Sequence, residues 1–393
     1  MTNLNNFNVI TVTDEEKIQV QQEWISSTNP IKAQDSSSSF PNATLAGKVF
    51  KILFYLNLLL IAALVISLTI YGLVYAFRSH HFHPKQWYPP LLIATLCGGI
   101  VGFKWQWITA RNPTKAIRAA FCLSPLLSCA MGVMFVYIGS APSLAVGARA
   151  IENRTMLTAL LILVILLSLG WTMQFLKNVL QVTISRVKYM HLFGGEIMDT
   201  RVALHDTVKY QTGSVSLGSI LVPFISLFRG FARSTSLIGG DNGEVMFSCV
   251  SCYMGIASLL VTRGNRWGFV HVGVYTKGFV QASSDTWDIF NRAGLEQLID
   301  LDLTGSFCFL SGMAGGAMCS LVSGIWSIVI HKSYATEISI YAFLIGYFMF
   351  RLAMSWPQAC VSAYYVAYAE NPQSTQFDCT IPVRLEQLQI YQA

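Results

Sequence analysis

The sequence predicts an all-α integral membrane protein, a polytopic helix bundle with about eight to nine transmembrane helices. Of its 393 residues 53% are hydrophobic and only 12% charged, and the mean hydropathy is +0.49. A soluble domain would carry about twice that share of charge. The apolar residues also gather in runs of about 20, the length that crosses a hydrocarbon core of about 30 Å. The net charge of +6 does not call for a nucleic-acid partner, because basic residues of membrane proteins collect in cytoplasmic loops. The expected partner is the lipid bilayer.

Residues 1–46 are polar, slightly acidic near Asp14–Glu16, and carry the serine run 36–39. They read as a disordered cytosolic tail. No basic stretch precedes a short apolar core, so no cleaved signal peptide is expected. A membrane domain over 47–370 follows, with spans expected at Val49–Phe77, Tyr88–Trp107, Ala116–Ile138, Met156–Val182, Thr212–Ala232, Val245–Thr262, Leu303–Ile330 and Ile338–Ala369. Pro125, Pro223 and Pro357 fall inside spans and predict kinks that neighbouring helices accommodate. Gly264–Phe290 is a ninth segment, mixing aromatics, small residues, a lysine and aspartates. Its habit stays open between re-entrant, interfacial and a polar span shielded by the bundle. Residues 371–393 read as a short cytosolic tail. With the N-terminus inside and eight spans, 13 Lys and Arg flank the inner side and 7 the outer, which favours both termini in the cytosol.

Small residues mark where helices touch. Gly312 and Gly316 share one helix face, as do Ser214 and Gly218 beside Gly213, and close backbone approach is the usual reason for such pairs in bilayers. Lys104, Lys177 and Arg351 lie within spans. Lys104 can snorkel from a helix end, and so can Lys177. Arg351 is nearer mid-span and is the foremost intramembrane charge. No Asp or Glu sits mid-span, which tilts the expectation toward facilitative or weakly coupled movement. Cys249-Val-Ser-Cys252 has the spacing of half a zinc site, but no His or second Cys pair accompanies it, so it reads as helix packing. No metal, cofactor or disulfide framework is expected. His80, His81 and His83 have no nearby carboxylate, and Asp285, Asp288, Asp300, Asp302 and Glu370 have no supporting His. An enzyme is therefore the reading least favoured, and none is expected.

Aromatics away from span ends include Trp171, Trp267, Tyr275, Tyr341, Tyr347, Trp356, Tyr364 and Tyr365. A quaternary ammonium has no N–H to donate and is recognised by aromatic faces. Aromatics at membrane depth with few buried acids suit such a soft cation.

At these residues the chain resembles the choline transporter-like family, in its shorter plant and fungal branch, with the strongest match over 171–372. The resemblance rests on Trp171-Thr-Met-Gln with Asn178, Thr212-Gly-Ser-Val-Ser-Leu-Gly-Ser219, and Gly264-Asn-Arg-Trp-Gly268 followed by Tyr275-Thr-Lys-Gly-Phe279 and Ala282-Ser-Ser-Asp-Thr-Trp287. Tyr341-Ala-Phe-Leu-Ile-Gly-Tyr347 and Tyr364-Tyr-Val-Ala-Tyr-Ala-Glu-Asn-Pro372 complete it. Family members usually carry about ten spans, and the shortfall falls near 139–153. Thr276 stands where the family often has Gly, which would stiffen a turn there. The resemblance implies transport of choline or a related quaternary-ammonium or ethanolamine solute, at the plasma membrane or an endomembrane. On that reading Trp171, Tyr275, Tyr347 and Trp356 would supply aromatic contacts. Asp285 would attract the cation at the cytosolic mouth, with Gly213, Ser214 and Gly218 packing beside the path. The alternative is a non-transporting membrane organiser in trafficking or lipid homeostasis.

Overall fold

The computed structural model describes residues 45–78, 84–138, 156–238, 262, 264–330 and 335–392. Every regular element among them is helical. Helices α1 (Leu45–Arg78), α2 (Pro84–Arg111), α3 (Pro113–Ile138) and α4 (Met156–Gly194) come first. They are followed by α5 (Thr200–Tyr210) and α6 (Thr212–Ile238). Three short helices come next: α7 (Gly268–Tyr275), α8 (Phe279–Arg292) and α9 (Glu296–Asp300). The chain then runs through α10 (Thr304–Ile330), α11 (Ala335–Ala353), α12 (Ser355–Glu370) and α13 (Thr380–Gln392). Local chemistry sets several boundaries. Pro84 and Pro113 open α2 and α3, where a missing N–H costs nothing. Asp199 caps α5, its carboxylate accepting from the Arg201 amide at 2.9 Å.

Among the described residues six helical stretches are long and apolar enough to cross a membrane: Leu45–Ser67, Pro89–Arg111, Pro113–Met134, Leu163–Gly194, Glu296–Ile330 and Ala335–Glu370. Six of the expected eight to nine are thus found among the described residues. The fifth expected span forms helix α6, 27 residues long, within which Thr212–Leu227 is apolar. The sixth, Val245–Thr262, lies almost wholly outside the described residues, as do Cys249, Cys252, the histidines at 80–83 and the 139–153 gap. The ninth segment is not a span. It breaks into α7 and α8, of 8 and 14 residues, about 12 and 21 Å long at 1.5 Å per residue, and neither alone crosses about 30 Å.

The expected last span is interrupted at Met354, and Pro357 explains where. A proline ring clashes with the carbonyl four residues earlier, here that of Ala353, the last residue of α11. The chain turns at Met354 and α12 starts afresh, with the Gln358 amide reaching the Met354 carbonyl at 3.3 Å.

Two packing groups make up the bundle. In one, α10 and α11 pack together and are flanked by α2 and α3; in the other, α4 is central and meets α12, α7, α5 and α6, with α1 laid along α6. The polarity is inside out relative to a soluble protein. Ser311, Ser320, Ser323 and Ser339 are buried, while Leu167, Leu227 and Val329 stand 65%, 75% and 80% exposed. A surface that greasy belongs against lipid, and the interior gains its close contacts from small side chains. The segment after Glu370 packs onto this body. Ser374 donates to the Leu192 carbonyl at 2.6 Å, Asn371 to that of Phe193 at 3.3 Å, and Ile381 is buried.

Thr276 joins α7 to α8 in the left-handed conformation, with φ 52° and ψ 25°, and is the single non-glycine residue with positive φ among those described. A side chain there costs about 1–2 kcal/mol, and β-branching makes the position worse. Glycine relieves that strain at the cost of a more flexible unfolded chain, about 0.4–1 kcal/mol. Thr276→Gly is therefore expected to stabilise the protein by about 1 kcal/mol, measured by SDS-induced unfolding in mixed micelles. An unchanged or lower stability would show that the hydroxyl or methyl makes a compensating contact.

Candidate functional site

A cavity of about 790 Å³ lies where α4, α6, the 264–267 loop, α8, α9, α10 and α11 converge. Helix α4 presents Gln174, Lys177, Asn178 and Gln181 to it, a spacing that puts all four on one helix face. Trp267, Trp287 and Tyr347 supply aromatic wall, and Arg266, Asp300, Asp302 and Arg351 supply charge. Arg266 forms an ion pair with the buried Asp302 and lies over the Trp267 ring, its guanidinium carbon 4.6 Å from the centroid. Trp267 in turn meets Phe290 and Tyr365 edge to face. Asn265 fixes the entry of α7: its side-chain Oδ1 accepts from the Gly268 amide at 2.9 Å, and its side-chain Nδ2 donates to the Ser283 carbonyl at 2.8 Å.

Beside this cavity a polar network ties α7, α4 and the end of α12. His271 Nε2 lies 2.6 Å from Glu370 Oε1, Tyr275 donates to Glu370 Oε2 at 2.7 Å, and Tyr189 donates to the same oxygen. The two hydroxyls are 3.1 Å apart. His271 is 1% exposed and the Glu370 side chain 10%. The expectation that the carboxylates have no supporting histidine is corrected here. Glu370 and Asp302 reach the interior from segment ends rather than from mid-span.

These features lie within the region matched by one sequence family, described as plasma-membrane choline transporter, which covers residues 114–373. The chain belongs to that family. Among relatives, it is 26% identical over 229 residues to "Protein pns1" of Aspergillus fumigatus, covering 54% of this chain and 43% of that protein. Similarity to "Protein PNS1" of Gibberella zeae is 25% over 226 residues, covering 54% and 42%, and to that of Yarrowia lipolytica 26% over 217 residues, covering 51% and 38%. The chain thus spans about two fifths of the length of these curated relatives.

Within this choline transporter family member, the residues singled out from sequence fall in different places. Tyr347 lines the cavity, stacked on Phe343 with ring centroids 6.2 Å apart. Lys177 and Arg351 line it too. Trp171 does not; its indole N–H donates to the Ser216 carbonyl at 3.2 Å and its edge meets Phe54, joining α4 to α6 and α1. Tyr275 belongs to the Glu370 network. Trp356 is 39% exposed on the bundle surface. Asp285 is held by Lys277 at 2.6 Å, so its charge is largely spent on that partner. Gly213 lies where an added Cβ would come within 2.1 Å of the Gly47 carbonyl oxygen, and Gly218 within 2.7 Å of the Phe269 and Phe279 rings. Ser214 donates to the Lys277 carbonyl at 3.4 Å. Gly312 accommodates the Arg351 stem, at 2.8 Å from such a Cβ, and Gly316 the Phe343 ring at 2.9 Å.

Sequence reasoning missed His271, hidden in the apolar run Phe269-Val-His-Val272 with its partner 99 residues away. It also left Trp287 and the amides of α4 unassigned. The unusual polarity of 264–290 is the signal that pointed to the neighbourhood without naming them. Among the described residues no three His, Cys, Asp or Glu side chains gather in a way that could hold a metal ion.

Proposed function

We propose that the protein is a carrier for choline or a related quaternary-ammonium or ethanolamine solute, rather than an enzyme, in the plasma membrane with its N-terminus in the cytosol. Family membership supports the solute class. The observation that carries the reading is the cavity itself, which is lined in part by the polar segment 264–290 and is walled by Trp267, Trp287 and Tyr347. Aromatic faces attract an onium group electrostatically and ask for no hydrogen bond in return. Of the aromatic contacts expected from sequence, Tyr347 is the one retained. Movement is facilitative or weakly coupled, and uptake with and without a pH gradient, to which the His271–Glu370 pair would respond, tests that point.

The test is uptake of labelled choline into proteoliposomes containing the purified protein. Saturable uptake competed by unlabelled choline is expected. Loss of a desolvated cation–π contact is worth about 2 kcal/mol, roughly thirtyfold in affinity. Tyr347→Ala should therefore raise the half-saturating concentration by about that factor, and Trp356→Ala should leave it unchanged. Equal effects of the two changes would remove the cavity from the path. No uptake by folded, inserted protein would favour the organiser reading.

A further inference from the structure

The cavity has a second chemical face that an onium cation does not use. Lys177 is 6% exposed and lines the cavity from α4, while Arg351 lines it from α11; both also line a smaller adjoining cavity of about 160 Å³. Neither has an ion pair or hydrogen bond among the described residues. The carboxylate of Asp302 is taken by Arg266. The lining basic groups Lys177, Arg266 and Arg351 face Asp300 and Asp302, and the guanidinium of Arg351 keeps its charge at any physiological pH. An unpaired positive charge in the lining repels a purely cationic solute.

Unused hydrogen-bonding capacity surrounds these cations. Gln181 is 1% exposed and, among the described residues, neither its amide nitrogen nor its oxygen has a partner; Asn178 Oδ1 and Gln358 Oε1 are buried and unpartnered among them too. Unpaired polar groups at such depth are costly, and an intramembrane ionisable residue calls for a named counterpart. An anionic oxygen cluster satisfies Lys177, the Arg351 fork and the Gln181 amide together. Tyr347 and Arg351 are four residues apart on α11, about 6 Å along the axis and on one helix face, so the aromatic and cationic faces adjoin.

We propose that the solute held here is zwitterionic, an onium group joined by a short linker to a phosphate or carboxylate, with the anionic end on Lys177 and Arg351. This rests on the onium-carrier reading and narrows its substrate class.

Binding to the purified full chain in detergent tests it by calorimetry, with choline, phosphocholine, glycine betaine and a short-chain phosphatidylcholine below its micelle concentration as probes. Phosphocholine or betaine is expected to bind about tenfold or more tighter than choline, the effect of one hydrogen bond to a charged group. The soluble zwitterions and the lipid probe separate a free solute from a headgroup as the source of the anion. Lys177→Gln and Arg351→Gln should each weaken zwitterion binding about tenfold more than choline binding. Choline binding as tight as phosphocholine or tighter overturns this inference and leaves the carrier reading intact. Failure of every onium probe, with protein monodisperse by size exclusion, overturns both. The wild-type ranking decides even where a variant fails to fold.

Discussion

Replacing Glu370 by alanine is expected to destabilise the protein by about 3 kcal/mol, the cost of leaving buried hydrogen-bonding groups without their partner. The carboxylate is the hub of the network: His271 lies against one oxygen while Tyr189 and Tyr275 donate to the other. The tyrosines have a fallback, since their hydroxyls are 3.1 Å apart and can bond each other. His271 has none. Its Nδ1 is already unpartnered and its ring is 1% exposed, so without Glu370 both nitrogens are stranded. The loss should therefore fall mainly on the histidine. Glu370→Gln keeps an acceptor for the tyrosines and a dipole for His271, and should cost less than alanine. The double change His271→Phe with Glu370→Leu removes both polar partners, and buried pairs replaced by apolar residues of similar volume are often near neutral. SDS unfolding of these variants, the wild type and the single changes His271→Phe and Glu370→Leu gives the comparison. A double variant as unstable as the sum of its two single changes would mean that His271 and Glu370 are not energetically coupled.

The sequence betrays the elements set by local chemistry and hides those set by distant pairing. The break at Met354 follows from Pro357 and a steric rule reaching back four residues. The left-handed turn at Thr276 coincides with a place where the family often carries glycine. Span positions follow from apolar length alone. The span count does not, because a run such as Gly264–Phe290 reads the same whether it crosses or folds back as α7 and α8. The His271–Glu370 pair is opaque for a different reason. His271 sits in a run that is apolar all round, so helical period singles out no face, and Glu370 stands at a span end where a carboxylate ordinarily meets water. Only the packing of α12 against α4 and α7 brings them together. The same holds for the cavity: Lys177 reads as a residue able to snorkel, yet the helices packed around α4 leave it 6% exposed. Trp171 shows the converse, an aromatic at membrane depth whose indole N–H is absorbed by joining helices.

The other large effect is expected at Gly268, where Gly268→Ala should cost about 2–3 kcal/mol, toward the upper end for overpacking. An added Cβ would come within 2.8 Å of the Ser283 Cα and 2.9 Å of its amide nitrogen, as well as 2.4 Å of its hydroxyl. The hydroxyl can rotate away, but the backbone of α8 cannot, so the first turn of α7 and α8 must separate. That separation strains both hydrogen bonds of Asn265, the one to the Gly268 amide and the one to the Ser283 carbonyl, each worth about 1 kcal/mol. The contact lies between Trp267 and Trp287, so the cavity wall shifts with it, and choline uptake should fall together with stability. Gly170→Ala is the matched control, because nothing lies within 4 Å of a Cβ built there, and it should be nearly neutral in both assays. If the two variants unfold alike, α7 and α8 are not as closely apposed as the glycine requires. A Gly268→Ala protein of normal stability but depressed uptake would place the effect in the cavity wall rather than in the fold.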